Sequence, residues 1–314
     1  MAAAAALGCR VRALLCLLAC AVLPGVAAEN PESGRTHFVV VSGLGGEALY
    51  DLRFSEYVRD LEKVLQKTAG DESLVHVLTG PAATGQAIER LLIRLQKETT
   101  PEDSLAFMLI GHGSYDGYSY KLNLPGPDIT GERLKTLLDG LPAQRQLIVN
   151  TTSASGATLD LWKGDKRIVV AATKNGRERT ATVFAQYWVA ALSDPEADTD
   201  KSESVSALEA YEYAERKVKD FYESEMRLAT EHSRLEGELA ASFTLARLGR
   251  ALEAAADPET RELISQREAL DREIGALRLR RESMPEEQYF DELQKLLIAL
   301  AQLQEKIDKA VGQP

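Results

Sequence analysis

The chain has 314 residues, 45% apolar and 27% charged, which is enough apolar residue for a sizeable buried core. It carries 37 Lys and Arg against 48 Asp and Glu, a formal net charge of −11 that disfavours nucleic acid and anionic membrane surfaces as partners. No stretch after the first 28 residues approaches the length of apolar run that a membrane span needs.

Residues 1–28 read as a secretory signal, with Arg10 and Arg12 at its start, an apolar run over 13–22 and Val26-Ala27-Ala28 as the cleavage site. Leu17-Leu18-Ala19-Cys20 faintly resembles a lipoprotein site and ranks second to soluble export. The expected location is secreted or periplasmic. The leader holds two arginines and no acid, so its loss takes the net charge from −11 to −13, a balance compatible with cation binding. All three cysteines, Cys9, Cys16 and Cys20, lie within it, so the expected mature chain has no thiol, forms no disulfide and cannot be a cysteine peptidase.

After a polar leader come alternating strand and helix signals. A first strand over 38–42 runs into Gly43-Leu44-Gly45-Gly46. A helix over 54–67 carries Val58, Leu61, Val64 and Leu65 on one face. A strand over 74–78, a helix over 87–97 and a third strand ending at His112 follow. Beyond a polar excursion there is a helix over 129–141 and a fourth strand ending at Ser153. A fifth strand over 167–173 and a helix over 183–192 complete the alternation. This pattern predicts an α/β domain over 36–192, with a mainly parallel sheet and helices on both faces. Residues 193–210 form an acidic loop, and 211–314 a helical extension. From Val205 onward only helix signals are read. Leu263, Leu270, Ile274 and Leu277 face Leu293, Leu296, Leu300, Leu303, Ile307 and Ala310 across Ser283-Met284-Pro285, an antiparallel hairpin with a coiled-coil seam. The aromatics Tyr211, Tyr213, Phe221 and Tyr222 read as core packing, and no zinc pattern is present.

Two apolar runs end in small polar clusters: Ile110-Gly111-His112-Gly113-Ser114 and Asn150-Thr151-Thr152-Ser153-Ala154-Ser155-Gly156. In an open α/β sheet the carboxyl ends of the strands gather ligands and catalytic groups, which places His112 and Ser153 on neighbouring loops. The two motifs together resemble the caspase–hemoglobinase fold, and most of all its legumain-type peptidases, over roughly 36–192. The resemblance implies a catalytic histidine at His112, an oxyanion-hole amide at Gly113, and a nucleophile position at Ser153, where serine stands in place of the family's cysteine. It further implies substrate binding by Arg53, after Tyr50-Asp51-Leu52, and by Ser155 within the second motif. A serine needs a base and a group to orient that base, and Asp116 and Asn150 are nearest in sequence. An α/β-hydrolase reading fails because Gly113 occupies the serine position of the nucleophile elbow.

Residues 198–209 place Asp198, Asp200, Ser202, Ser204, Ser206 and Glu209 at the ligand positions of an EF-hand loop, which predicts a weak Ca²⁺ site. Glu203 replaces the glycine of position six, where positive φ is required. The alternative is a helix capping box, Ser206-x-x-Glu209. Three functions follow: a degenerate, non-cysteine peptidase that binds a peptide or protein partner, a serine-variant hydrolase using Ser153 and His112, or a scaffold whose tail mediates contacts, including a homo-oligomer.

Overall fold

The computed structural model describes residues 34–254 and 257–310; the leader at 1–28 and the residues after Ala310 lie outside the described part. The chain opens with β1 (Thr36–Ser42), almost wholly buried. Next comes α1 (Ala48–Ala69), which buries Phe54, Val58, Leu61 and Leu65 on one face. It begins six residues earlier than its apolar spacing suggests, and the Asp51 carboxylate ties its first turn to the Gly45 N–H at 2.8 Å. It ends at Gly70, whose φ of 69° lets the N–H reach back to the Gln66 carbonyl.

β2 (Val75–Leu78), α2 (Gly85–Glu98) and β3 (Ser104–Ile110) follow. The polar excursion after His112 is a small antiparallel sheet, β4 (Gly113–Tyr115), β5 (Tyr120–Leu122) and β6 (Ile129–Thr130). α3 (Gly131–Asp139) starts two residues later than expected, because Ile129 and Thr130 pair with β5 and the Thr130 hydroxyl caps the helix at Arg133 N–H. β7 (Arg145–Asn150), the short α4 (Leu159–Trp162), β8 (Arg167–Ala171) and α5 (Phe184–Ala191) complete the alternation.

The stretch after Val205 is mainly helical, as expected, but also contributes three short strands that the sequence reading missed. They are β9 (Ser204–Ser206), followed by α6 (Ala207–Ser224), then β10 (Arg234–Glu236) and β11 (Thr244–Arg247). At three or four residues each, none is long enough to show an alternation. α7 (Gly249–Ala254), α8 (Pro258–Leu279) and α9 (Glu286–Ala310) end the described chain.

The main sheet runs β10-β8-β7-β3-β1-β2, parallel throughout except for β10. Both faces are covered, so the strands read as continuous apolar runs. Phe38 and Val40 join the layer made with α1, α5 and α6, whereas Val39 and Val41 join the layer made with α2 and α3. Burying each such side chain contributes about 1.5–3 kcal/mol. The sheet is therefore mixed α/β with a mainly parallel order, and its first layer draws on Tyr213, Phe243 and Leu245 as well as on the strands before residue 192. From β1 the chain steps outward to β2 and then back across to β3. That reversal makes the carboxyl ends of β1 and β3 a topological switch point, where crevices form in such sheets.

α8 and α9 fold back on each other. Ile264 near the start of α8 meets Leu303 and Ile307 near the end of α9, and Arg280 reaches Glu292 at the opposite end.

Candidate functional site

The switch point is built by three loops. Gly43 N–H donates to the Ile110 carbonyl at 2.8 Å, and Leu44 N–H to the Asn123 carbonyl at 3.0 Å. Asn123 N–H donates in turn to the His112 carbonyl at 3.0 Å. The loop after β7 is tied in by Thr151, whose N–H and hydroxyl both donate to the Leu109 carbonyl. His112 and Ser153 thus emerge on adjacent loops at the same edge of the sheet.

His112 is half-buried, with the Tyr50 ring edge-on at 4.8 Å and the Phe54 ring at 5.3 Å between centroids. Its Nε2 lies 3.1 Å from the Gly45 carbonyl oxygen. A carbonyl only accepts, so Nε2 carries the hydrogen and Nδ1 is the free basic nitrogen in the neutral ring. Ser153 is buried, and its Oγ donates to the Gly113 carbonyl at 3.0 Å and accepts from the Gly113 N–H at 3.2 Å. No hydrogen bond joins Ser153 to His112 among the described residues. The amide that the resemblance assigns to an oxyanion hole is occupied by the serine that would attack.

The two loops touch closely. A Cβ at Gly113 would stand 2.5 Å from the Ser153 carbonyl oxygen and 2.6 Å from Thr152 Oγ1, so only glycine fits. The turn is sharpened by Ala154, at φ 58°, whose N–H donates to the Glu178 carbonyl at 2.8 Å.

Neither orienting candidate reaches the histidine. Asn150 Oδ1 accepts from Thr152 N–H, Thr152 Oγ1 and the Tyr120 hydroxyl beneath the turn. Burial pushes the Tyr120 hydroxyl up to about 12, against the pull of its bonds to Thr152 and Asn150. Asp116 accepts from Tyr118 N–H and Ser119 N–H and pairs with Lys121 at 3.5 Å. Ser155 is buried, its hydroxyl 3.2 Å from Thr173 Oγ1 and accepting from Thr173 N–H at 3.1 Å, which makes it a turn support rather than an exposed binding group. Arg53 is exposed on α1, next in sequence to the Phe54 that packs on His112, and has no hydrogen-bond or ion-pair partner among the described residues.

In the acidic loop, one carboxylate oxygen each from Asp198, Asp200 and Glu209 lie within 4.8 Å of one another. Ser202 and Glu203 N–H groups donate to Asp198, and Ser202 N–H also to Asp200. Glu203 adopts a φ of 58°, the left-handed turn that position six demands. Ser202 Oγ and Ser204 Oγ lie 2.9 Å apart. The capping box is formed: the Ser206 hydroxyl accepts from Glu209 N–H, and Glu209 Oε2 accepts from Ser206 N–H at 2.9 Å. Burial and the nearby Asp200 raise the Asp198 carboxyl above its ordinary range, against the two N–H donors that lower it.

No family model matches the chain, and no curated protein matches it in sequence. Among solved structures, a protein from Geobacter sulfurreducens overlays with a TM-score of 0.46 at 11% identity, covering 68% of this chain and 100% of that one. The Drosophila initiator caspase Dronc overlays with a TM-score of 0.40 at 10% identity, covering 64% of this chain and 78% of that one.

Several residues of the site lie outside the two motifs around His112 and Ser153. Tyr50, Phe54 and Gly45 contact His112 from a loop and helix far away in sequence. Glu178 holds the Ser153 turn through its carbonyl, while its carboxylate accepts from Lys174 N–H and from His232 N–H and Nδ1. Burial works against the charge on Glu178, yet these bonds outweigh it and keep the carboxyl below its usual range. A single glutamate in a polar loop offers no periodicity or spacing from which this role could be read.

Proposed function

We propose that this chain is a non-catalytic, legumain- or caspase-like binding domain that takes a peptide or protein partner at the edge carrying His112. One observation carries the reading. The Ser153 hydroxyl is committed to both backbone groups of Gly113, and no hydrogen bond connects it to the histidine that would have to activate it. A serine with no hydrogen bond to a base is a poor nucleophile, and the described residues hold no cysteine to replace it. Recognition falls to the groups left open: the exposed fork of Arg53, suited to a carboxylate or amide side chain, and the half-buried ring of Tyr50. Assay with a broad fluorogenic peptide library should give no turnover, and the same result for Ser153→Ala. Turnover by wild type that disappears in both Ser153→Ala and His112→Ala would overturn the reading in favour of a serine hydrolase.

A second proposal concerns the loop 198–209, which we read as a weak calcium site linking α5 to α6. The clustering of three carboxylate oxygens and the positive φ of Glu203 support it. Glu209 already serves the capping box with one oxygen and Thr199 with the other, so an ion would share its carboxylate with backbone donors. An affinity of ~10⁻⁴–10⁻³ M, as in extracellular calcium modules, fits that competition. Melting in millimolar calcium against a chelator tests it.

A further inference from the structure

At the opposite edge of the sheet, where β1, β3 and β7 begin, α8 roofs a cavity of about 180 Å³. Five arginines and one glutamate line it, in a chain whose net charge is strongly negative. Arg35 pairs with Asp103 at 3.7 Å, and Arg247 with Glu268 at 2.6 Å. Arg145 and Arg272 have no carboxylate within ion-pair distance among the described residues.

Arg145 is the more telling. Its Nη2 donates to the Ser242 carbonyl at 2.6 Å, and its guanidinium lies 5.2 Å from the Phe243 ring centre. Its Nε is buried with no hydrogen-bond partner. Burial, and then the nearby Arg272, push its pKa down to about 10, although Glu268 and Asp271 pull the other way. A guanidinium does not give up its proton at neutral pH, so this charge stays in place and needs a counter-charge. A second orphan lines the same cavity: the Thr68 hydroxyl is buried, has no partner and can donate. Two guanidinium forks without an ion-pair partner line one small space beside Thr68, which describes a receptor for an acceptor-only ligand.

We propose that this cavity binds a small multivalent oxyanion of the phosphate class, held between Arg145 on β7 and Arg272 on α8. A phosphate group carries close to two negative charges at neutral pH and three strong acceptor oxygens, which match two guanidiniums that lack an ion-pair partner. Arginine meets such oxygens with paired N–H donors. The bound ion would join the start of the sheet to the C-terminal helices, across the molecule from His112.

The test is calorimetric titration and thermal melting of the whole protein with inorganic phosphate, sulfate and glycerol 3-phosphate, with chloride at matched ionic strength as control. Phosphate should bind and raise the midpoint where chloride does not. Arg272→Gln, on the half-exposed α8, should keep the fold and weaken phosphate about tenfold or more, the loss expected of a hydrogen-bonded charge. Arg145→Gln should do the same if it folds, and Arg272→Gln decides if it does not. Comparing glycerol 3-phosphate with the free ion separates a phosphomonoester from inorganic phosphate as the natural source, and binding of either supports the site. Equal effects of phosphate and chloride, or unchanged phosphate affinity in Arg272→Gln, would overturn it. Peptide turnover is not involved in either result, so the outcome is independent of the reading of Ser153.

Discussion

His37 on β1 and His76 on β2 are stacked, with ring centres 6.1 Å apart and planes within 11°. Neither His37 nitrogen has a hydrogen-bond partner, and His76 Nε2 also lacks one. Burial lowers the pKa of both, that of His76 to about 4 with help from Arg94, while Asp103 and Glu98 pull upward. The folded state therefore holds two neutral imidazoles that the unfolded chain would protonate near pH 6.5. In that window the unfolded state binds more protons, so stability falls as pH drops from about 6.5 toward 4 and is flat with respect to these groups above it. The double variant His37→Phe, His76→Val should lose less of its melting midpoint between pH 7 and pH 5 than wild type. Identical pH profiles for the two proteins would show that the pair does not contribute. The motif histidine was legible in the sequence because two glycines flank it. This pair was not, since partnerless nitrogens appear only when adjacent strands are put in register.

Most of the elements were legible, and the exceptions share a cause. The apolar period of α1 and α2 and the β-rich runs of β1, β3 and β7 are long enough to declare themselves. β10 is three residues, Arg234–Glu236, with two of them charged, and its strand character comes only from pairing with β8. The acidic loop shows how far spacing goes: it placed the three carboxylates in one cluster but could not weigh an ion against the cap at Ser206. The charge balance of the loop offers a way to do so. Above the raised pKa of Asp198, the charged form carries the cost of burial and of Asp200, and a divalent cation would relieve it as a proton does. Calcium at ten times its dissociation constant should then stabilise the fold by about 1.4 kcal/mol. The shift should be absent in Asp198→Ala and with magnesium, which demands a tighter octahedral shell. Equal melting midpoints in calcium, magnesium and chelator would leave the capping box as the loop's whole role.

On the scale of the molecule, the helical pair α8–α9 is attached to the sheet rather than part of its core. The core layer that runs from Phe38 to Ala246 contains no residue of either helix. The pair has a small apolar cluster of its own around Ile264, Leu303 and Ile307. What joins the two is mostly polar: Arg247 to Glu268, Arg267 to the Ser202 carbonyl at 3.2 Å, and a close approach of Gly275 to Ser242. Half-buried ion pairs and hydrogen bonds of this kind contribute about 0.5–1.5 kcal/mol each. Deleting residues 257–314 should therefore leave a cooperatively folded body with its far-ultraviolet spectrum largely retained. Its midpoint should fall by several degrees, at roughly 2–4 °C per kcal/mol for a chain of this size. Loss of all cooperative melting would show that the helices are integral to the fold. α9 exposes Phe290, Leu297 and Ile298, each about half accessible, an apolar surface that a second copy could cover. Light scattering on the full and truncated proteins separates the possibilities, since identical monomers would argue against self-association. Truncation also removes Arg272, so the shortened protein should lose its melting response to phosphate while the sheet edge carrying His112 remains.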